Sequence, residues 1–204
     1  GISPSQLISS RTGLALVDLH KMHEGMLDAS IMVAYLPQGE RDEASLERAN
    51  RNAHHILDHI EGMVADNADA LEIARTPEDL YALKGQGKKA IMTGVENGYA
   101  VGKDINNVKE FRDRGVVYMT LCHNGDNDIC DSARGNTEHN GVSQFGEQVI
   151  REMNRVGMMV DLSHASEKSF FDALEISATP IVCSHSSSKA LCNHPRNLTD
   201  GQLL

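Results

Sequence analysis

Apolar residues along this chain occur in short continuous runs of strand length, separated by stretches in which they recur every three or four positions. The runs lie at Ala29–Leu36, Ala90–Val95, Val116–Leu121, Gly157–Leu162 and Pro180–Cys183. A continuous apolar run is typical of a strand covered on both faces, as the strands of parallel sheets are. The sequence therefore predicts about five strands of a parallel sheet.

The stretches between these runs carry the marks of amphipathic helices. From Asp42 to Ala68 the apolar side chains repeat with the period of a helix. Residues that cap helix N-termini precede the other helical stretches, and these are Thr76 (before Pro77), Asp104, Ser143, Ser166 and Thr199. Alternation of strands and helices predicts an α/β fold in which helices cover a parallel sheet.

Two α/β architectures compete, an open doubly wound sheet and a TIM-type (β/α)8 barrel. The nucleotide-binding form of the open sheet needs a glycine-rich turn directly after a strand, whereas Gly85-Gln86-Gly87 precedes one. A capping box, Thr199 with Gln202, begins a helix just before the sequence stops. Because a full barrel takes about 250 residues, we expect residues 1–204 to be a single domain belonging to a longer barrel.

A metal-capable or proton-active side chain follows each of four successive strand runs. These side chains are Glu96, His123, His164 and His185. The C-terminal ends of parallel strands share one edge, where catalytic residues gather in barrels and in open sheets. Carboxylate and imidazole groups suit Zn²⁺ as ligands, and a carboxylate can bridge two ions. We therefore predict a zinc site that includes Glu96, His164 and His185.

Charge and composition narrow the function classes. The chain carries 19 Lys and Arg against 29 Asp and Glu, a formal net charge of −10. This balance argues against a nucleic-acid partner and against a polybasic membrane anchor. No apolar run approaches the roughly 18 residues of a membrane helix, so no transmembrane segment is predicted. The compartment stays open between the cytoplasm and the cell envelope.

Other residues of metal-binding type are expected to have ordinary roles. His55 and His59 stand four residues apart on a predicted helix but lack the glutamate of an HExxH motif, so we expect them to be solvated. Asp126, Asp128 and Asp131 match a calcium loop only loosely and are expected to form turns. The four cysteines contain no CxxC pair and are expected to be reduced and buried.

Five motifs occur in order along the chain. They are Gly94-Val-Glu-Asn-Gly98, Thr120-Leu-Cys-His-Asn124, Asp161-Leu-Ser-His164, Ser184-His-Ser-Ser187 and His194-Pro-Arg-Asn197. Together they resemble the membrane (renal-type) dipeptidases, the M19 zinc peptidases, over nearly the whole chain. The resemblance implies a (β/α)8 barrel with two zinc ions at the strand C-termini. It also implies hydrolysis of dipeptides by attack of a metal-bound hydroxide on the peptide carbonyl.

The same resemblance implies a role for each candidate residue. Glu96 would be the carboxylate that bridges the two zinc ions, and His164 and His185 would hold the second zinc. His123 would lie near the substrate carbonyl and stabilise the tetrahedral intermediate. Arg196 would bind the free carboxylate of the dipeptide, for which a planar guanidinium offers a matching pair of donors.

The sequence departs from the family pattern at the first zinc position. The family holds that zinc with a His-x-Asp pair on its first strand, and no His-x-Asp occurs in this sequence. The family's acid–base Asp and further strands are expected beyond Leu204. We therefore expect a barrel lacking its first and last strands, which binds at most one zinc tightly. A homodimer, or association with the rest of the barrel, is the expected assembly.

Two alternatives to a dipeptidase remain open from the sequence. The first is a related metal-dependent barrel hydrolase that cleaves another small amide or a lactone. The second is a non-catalytic protein, or a fragment, that keeps the scaffold without the activity. The missing His-x-Asp pair leaves inactivity of this chain alone as an open outcome, even if the parent protein is an enzyme.

Overall fold

The protein is described by a computed structural model that covers residues 2–11 and 13–204. Strands and helices alternate along most of the chain. The strands are β1 (Ala29–Tyr35), β2 (Leu71–Ile73), β3 (Lys89–Glu96), β4 (Val116–Thr120) and β5 (Met159–Asp161). The helices are α1 (Pro4–Ser9), α2 (Leu19–Glu24), α3 (Glu43–Ala65), α4 (Pro77–Gly85), α5 (Asn106–Asp113), α6 (Gln144–Val156), α7 (Glu167–Ile176) and α8 (Asp200–Leu203). A short 3-10 helix, Gly98–Val101, follows β3.

The five strands form one sheet in the order β1-β3-β4-β5, with β2 paired to β3. The pairings of β2 with β3 and of β4 with β5 are parallel. In the second pairing Thr120 lies opposite Asp161, and a parallel bridge continues from Asp161 to Val182. The predicted α/β class with a parallel sheet is therefore confirmed.

Two strand positions differ from those that the sequence predicts. The run Pro180–Cys183 forms only the bridge at Val182, because Pro180 has no amide hydrogen with which to extend the pairing. Conversely, Leu71–Ile73 forms β2, which the sequence does not predict because it is too short to show a strand period.

The cap of one helix also differs from the prediction. The N-cap of α5 is Ile105 rather than Asp104, although Asp104 Oδ1 still accepts a hydrogen bond from Asn106 N at 3.0 Å.

One compact unit consists of the chain up to Ala34 together with His54–Gly94. Its larger apolar cluster joins side chains of α1, α3, β2 and β3, namely Ile8, Ile60, Met63, Val64, Leu71 and Ile91. A smaller cluster is formed by Ala74, Leu83 and Ala90. This unit contains none of the residues that the sequence singles out for chemistry.

The other compact unit consists of Tyr35–Ala53 and Val95–Leu204. Strand β4 is buried along its whole length, and α6 packs against β5, α5 and α7. Helix α6 begins at Ser143, whose side chain accepts the amide hydrogen of Gly146, and ends at Gly157, where φ is +77°. This unit holds every candidate site residue, because it contains the C-terminal ends of β3, β4 and β5. The expectation of a single barrel domain over residues 1–204 stays a prediction.

A membrane-spanning helix needs both length and apolar character. Within residues 2–11 and 13–204, no helix combines the two to the degree that crossing a bilayer requires.

Candidate metal centre

The register of the sheet places three histidines at the same height along the strand direction. Thr120 pairs with Asp161, and Asp161 pairs with Val182. A histidine stands three residues after each of these paired positions, and the three are His123, His164 and His185. The centroids of the first and second imidazole rings are 4.2 Å apart, and those of the second and third are 4.9 Å apart. Parallel pairing therefore turns three separate strand ends into a row of imidazoles.

Glu96, the last residue of β3, directs its carboxylate toward this row. The distance from Glu96 Oε1 to Nε2 is 3.3 Å for His164 and 3.2 Å for His185. The Nε2 atom of His123 is farther away, at 4.0 Å from the same oxygen. Donor atoms of Glu96, His164 and His185 all lie within 4.8 Å of one another. Three of the residues that the sequence singles out thus converge on one point.

These distances fit ligands of one four-coordinate metal ion. Metal–ligand bonds of about 2.0–2.2 Å in a tetrahedral site place neighbouring ligand atoms about 3.3–3.6 Å apart. Of the two observed separations, 3.3 Å lies at the lower end of that range and 3.2 Å lies just below it. In the part of the chain that the structure describes, no other group of three or more His, Cys, Asp or Glu donors converges in this way. The donor set can therefore hold a metal ion.

Burial and hydrogen bonding determine which protonation states the cluster favours. Hydrogen bonding from His164, and then from His185, holds the pKa of the Glu96 carboxyl well below its usual range. Burial lowers the pKa of His123 and of His164, and for His164 it outweighs the opposing attraction of Glu96. An ionised carboxylate and neutral imidazoles are the forms that bind metals.

The imidazole of His164 is oriented by an amide. His164 Nδ1 lies 3.1 Å from Asn124 Oδ1. Because an amide oxygen only accepts hydrogen bonds, Nδ1 donates to it and Nε2 is the nitrogen that faces Glu96. This orientation leaves Nε2 as the atom that a metal ion would bind.

His123 and Arg196 lie beside the cluster. The hydroxyl of Tyr35 is 3.5 Å from His123 Nδ1, and the two rings meet edge to face at 4.7 Å. Arg196 Nη2 donates a hydrogen bond to the backbone oxygen of His185 at 3.2 Å. Arg196 Nε is buried, and among the described residues it has no hydrogen-bond partner. An unpaired buried donor is costly, so an acceptor bound next to this guanidinium is favoured.

Two buried asparagines, for which the sequence predicts no role, stabilise the backbone behind Glu96. Asn97 Nδ2 donates to the backbone oxygen of Leu36 at 3.1 Å and to Gln38 Oε1 at 3.2 Å. Asn97 Oδ1 accepts a hydrogen bond from Asn127 Nδ2 at 3.0 Å. A polar residue that is fully buried directly after a strand marks such a network, but burial is not visible in the sequence.

The remaining candidates behave as ordinary residues. His55 and His59 are exposed on α3. Asp126 and Asp131 accept backbone amide hydrogens of their own loop at distances between 2.7 and 2.9 Å. These contacts agree with the predicted solvated and turn-forming roles.

Comparison with known proteins gives consistent matches. A model of the membrane dipeptidase family (peptidase family M19) matches residues 6–204. The chain is 36% identical over 189 residues to dipeptidase tcpJ of Claviceps purpurea, covering 90% of this chain and 44% of that protein. The crystal structure of the probable dipeptidase PvdM from Pseudomonas aeruginosa aligns with a TM-score of 0.86 at 28% identity, covering 95% of this chain and 51% of that one.

A third match concerns the fold alone. The metallopeptidase dipeptidase AC of family M19 aligns with a TM-score of 0.88 at 23% identity, covering 98% of this chain and 62% of that one. These likenesses confirm the predicted fold class, a TIM-type barrel of which this chain contributes the five strands described above. The chain spans about half the length of dipeptidase tcpJ and of PvdM.

Proposed function

Because the chain belongs to the membrane dipeptidase family, peptidase family M19, we propose that it carries the metal ligands and a substrate-binding residue of a zinc-dependent dipeptidase. The observation that carries the proposal is the convergence of Glu96, His164 and His185 within 4.8 Å. Two imidazoles and a carboxylate suit zinc. Three protein ligands leave one position open, as catalytic zinc sites do.

Zinc at this position would supply a Lewis acid and a means of activating water at neutral pH. The chain's own residues orient the peptide around it. His123 stays neutral because burial lowers its pKa. With Tyr35 near Nδ1, Nε2 of His123 is left to donate a hydrogen bond to the oxygen of the scissile carbonyl. A donor aimed at an oxygen that gains charge in the transition state contributes about 2.7–4 kcal/mol.

The guanidinium of Arg196 is the group from which we infer the class of substrate. It lies beside His185, where Nη2 donates to the backbone oxygen and the buried Nε has no partner among the described residues. A guanidinium in this position can pair with an anion bound next to His185. A dipeptide carries such an anion in its free C-terminal carboxylate, one residue away from the bond that is cleaved. Pairing between guanidinium and carboxylate would therefore select short peptides with a free C-terminus.

The test compares Arg196→Met with the wild type in zinc-dependent hydrolysis of a dipeptide. Loss of a charged hydrogen-bonding partner should lower kcat/KM by roughly 10–150-fold. The same dipeptide with an amidated C-terminus should be hydrolysed at similar rates by both proteins, since the carboxylate is gone. Lys189→Met, which removes another cation from the same C-terminal segment, is the matched control and should leave the rate unchanged.

Two results would contradict parts of this proposal. An unchanged dipeptide rate in Arg196→Met would favour a hydrolase of another small amide or a lactone, because the carboxylate clamp would then have no role. A wild-type chain that binds zinc but hydrolyses no dipeptide would favour the non-catalytic alternative.

A further inference from the structure

Asp161, the last residue of β5, is fully buried and accepts four hydrogen bonds. Its Oδ1 accepts the backbone amide hydrogens of Ser163 at 3.1 Å and Ser184 at 2.9 Å. Its Oδ2 accepts the hydroxyl hydrogens of Thr120 at 2.6 Å and Ser184 at 2.7 Å. Both oxygens of the carboxylate thus accept two hydrogen bonds each, which uses its acceptor positions.

The hydroxyl of Ser184 connects this carboxylate to His185. Ser184 Oγ is 2.7 Å from Asp161 Oδ2 and 2.8 Å from His185 Nδ1. A hydroxyl has one hydrogen, and here it is donated to the carboxylate. Ser184 Oγ therefore accepts from His185, so that Nδ1 carries a proton and Nε2, 3.2 Å from Glu96 Oε1, is the nitrogen left for a metal ion.

We propose that Asp161 is a positioning residue for the metal centre, which acts through the Ser184 hydroxyl to set the tautomer and ring orientation of His185. The proposal rests on the metal-binding role proposed above for His185. Histidines that bind metals usually donate their second nitrogen to an outer partner, which orients the ring. Here that partner is a serine polarised by a buried carboxylate.

Differences in exposure show why His185 needs such a partner. The side chain of His164 is only 7% exposed, and neighbouring atoms restrict its ring. The side chain of His185 is 42% exposed, so fewer neighbouring atoms restrict its ring. The hydrogen bond from Nδ1 to Ser184 supplies the missing restraint, and Asp161 determines which partner of that bond is the donor.

The first test measures the tautomer of His185 by nitrogen-15 NMR at about pH 8, above the ordinary pKa of an imidazole, in the metal-free Glu96→Ala chain, where no carboxylate competes for the proton at Nε2. This background should show the proton on Nδ1, and adding Ser184→Thr, which keeps the hydroxyl, should leave it there. Ser184→Ala should lose this preference. Ser187→Ala removes a neighbouring exposed serine and serves as the matched control, with no change expected.

Asp161→Asn provides a second and more specific variant. An asparagine amide can donate to Ser184 Oγ, which lets the hydroxyl donate its own hydrogen to His185 Nδ1. The proton of His185 should then move to Nε2, the nitrogen that faces Glu96. If Asp161→Asn does not fold, because its carboxylate also binds backbone amides, the Ser184 pair still decides the question.

The second test measures zinc affinity by competition with a chromophoric chelator. Ser184→Ala should bind zinc roughly 10–100-fold more weakly, the usual effect of losing an outer partner of a ligand, and Ser184→Thr should bind as the wild type does. An unchanged tautomer and unchanged affinity in Ser184→Ala would overturn the inference. A wild-type chain that binds no zinc would instead contradict the proposed function, while the NMR result would still decide the role of Asp161.

Discussion

His164 has a backbone conformation that residues with a side chain seldom adopt. Its φ is +73°, and the residue is buried. Such a conformation costs on the order of 1–3 kcal/mol and persists where neighbouring groups impose it. Here the backbone oxygen of His164 accepts hydrogen bonds from Ala133 N at 2.7 Å and from Ser132 Oγ at 3.2 Å. The result is an imidazole that points at Glu96 rather than along the strand.

Substitution of His164 should remove tight zinc binding. In His164→Ala only Glu96 and His185 remain as ligands, so the dissociation constant should rise by more than the roughly 10–100-fold expected for loss of an outer partner. His164→Asn, which tolerates a positive φ, should show a similar loss and would separate ligand removal from backbone effects. The exposed His55→Ala is the control. Retention of wild-type affinity in both His164 variants would exclude His164 as a ligand.

The sequence located the site residues better than it located their partners. Glu96, His123, His164 and His185 were predicted because each follows an apolar run, and strand direction alone places them at one edge. The contacts of Asp161 with Ser184 depend instead on the bridge between Asp161 and Val182, whose register has no local signal in the sequence. The roles of all these residues stay predictions.

Helix α6 meets the loop before it at a point where a side chain has no room. A Cβ atom built at Gly146 would overlap the backbone oxygen of Ile129, which also accepts a hydrogen bond from Ser143 N at 2.9 Å. Because the neighbour is backbone held by this hydrogen bond, next to the antiparallel bridge between Cys130 and Val142, it cannot move aside cheaply. Glycine at this position is therefore required by packing.

The matched pair Gly146→Ala and Gly62→Ala tests this requirement. Overpacking should make Gly146→Ala less stable by about 1–3 kcal/mol in the free energy of unfolding. Gly62 lies inside α3, where a Cβ would meet nothing within 4 Å, so alanine there should raise stability by about 0.5–1 kcal/mol. Urea unfolding measures both changes. Equal effects in the two variants would mean that the Ile129 contact does not limit position 146.

Helix α4 gives a prediction about pH. Asp79 Oδ2 accepts the backbone amide hydrogens of Arg75 at 2.8 Å and Thr76 at 3.0 Å, and the Arg75 bond is the main cause of its lowered pKa. A carboxyl whose pKa is lowered in the folded state adds stability above its unfolded pKa of about 3.9, and this contribution is lost as pH falls through the folded value.

Asp79→Asn should therefore be less stable than the wild type at pH 6, and the difference should shrink as the pH is lowered from about 4 toward 2. Urea unfolding at several pH values measures this. Glu78→Gln removes a charge from the same helical turn but leaves both hydrogen bonds in place, so it controls for charge alone. A difference between Asp79→Asn and the wild type that does not depend on pH would rule out the carboxylate as its source.

Elements were predictable where a local signal existed. Ser143 and Ser166 cap α6 and α7 as the sequence predicts, because each hydroxyl accepts an amide hydrogen of the first turn. Helix α1 also has a complete capping box, Ser3 with Gln6, but it is too short to show an apolar period. Strand β2 was missed for the same reason, since pairing with β3 rather than its own pattern makes it a strand.

At the scale of the whole molecule, sheet register links the fold to the chemistry. Parallel pairing brings the residues that follow β4, β5 and the bridge at Val182 to one level, and Glu96 at the end of β3 faces them. No single element contains the cluster, so it forms only when the sheet forms. Zinc binding should accordingly be lost with unfolding of the sheet and should stabilise the folded chain.

The central claim is that these strand ends together hold one metal ion, and zinc-edge anomalous diffraction from crystals grown with zinc tests it most directly. We predict one strong anomalous peak per chain, about 2.0–2.2 Å from Glu96 Oε1, His164 Nε2 and His185 Nε2. A strong peak elsewhere, or these three side chains pointing apart in the presence of zinc, would contradict the account.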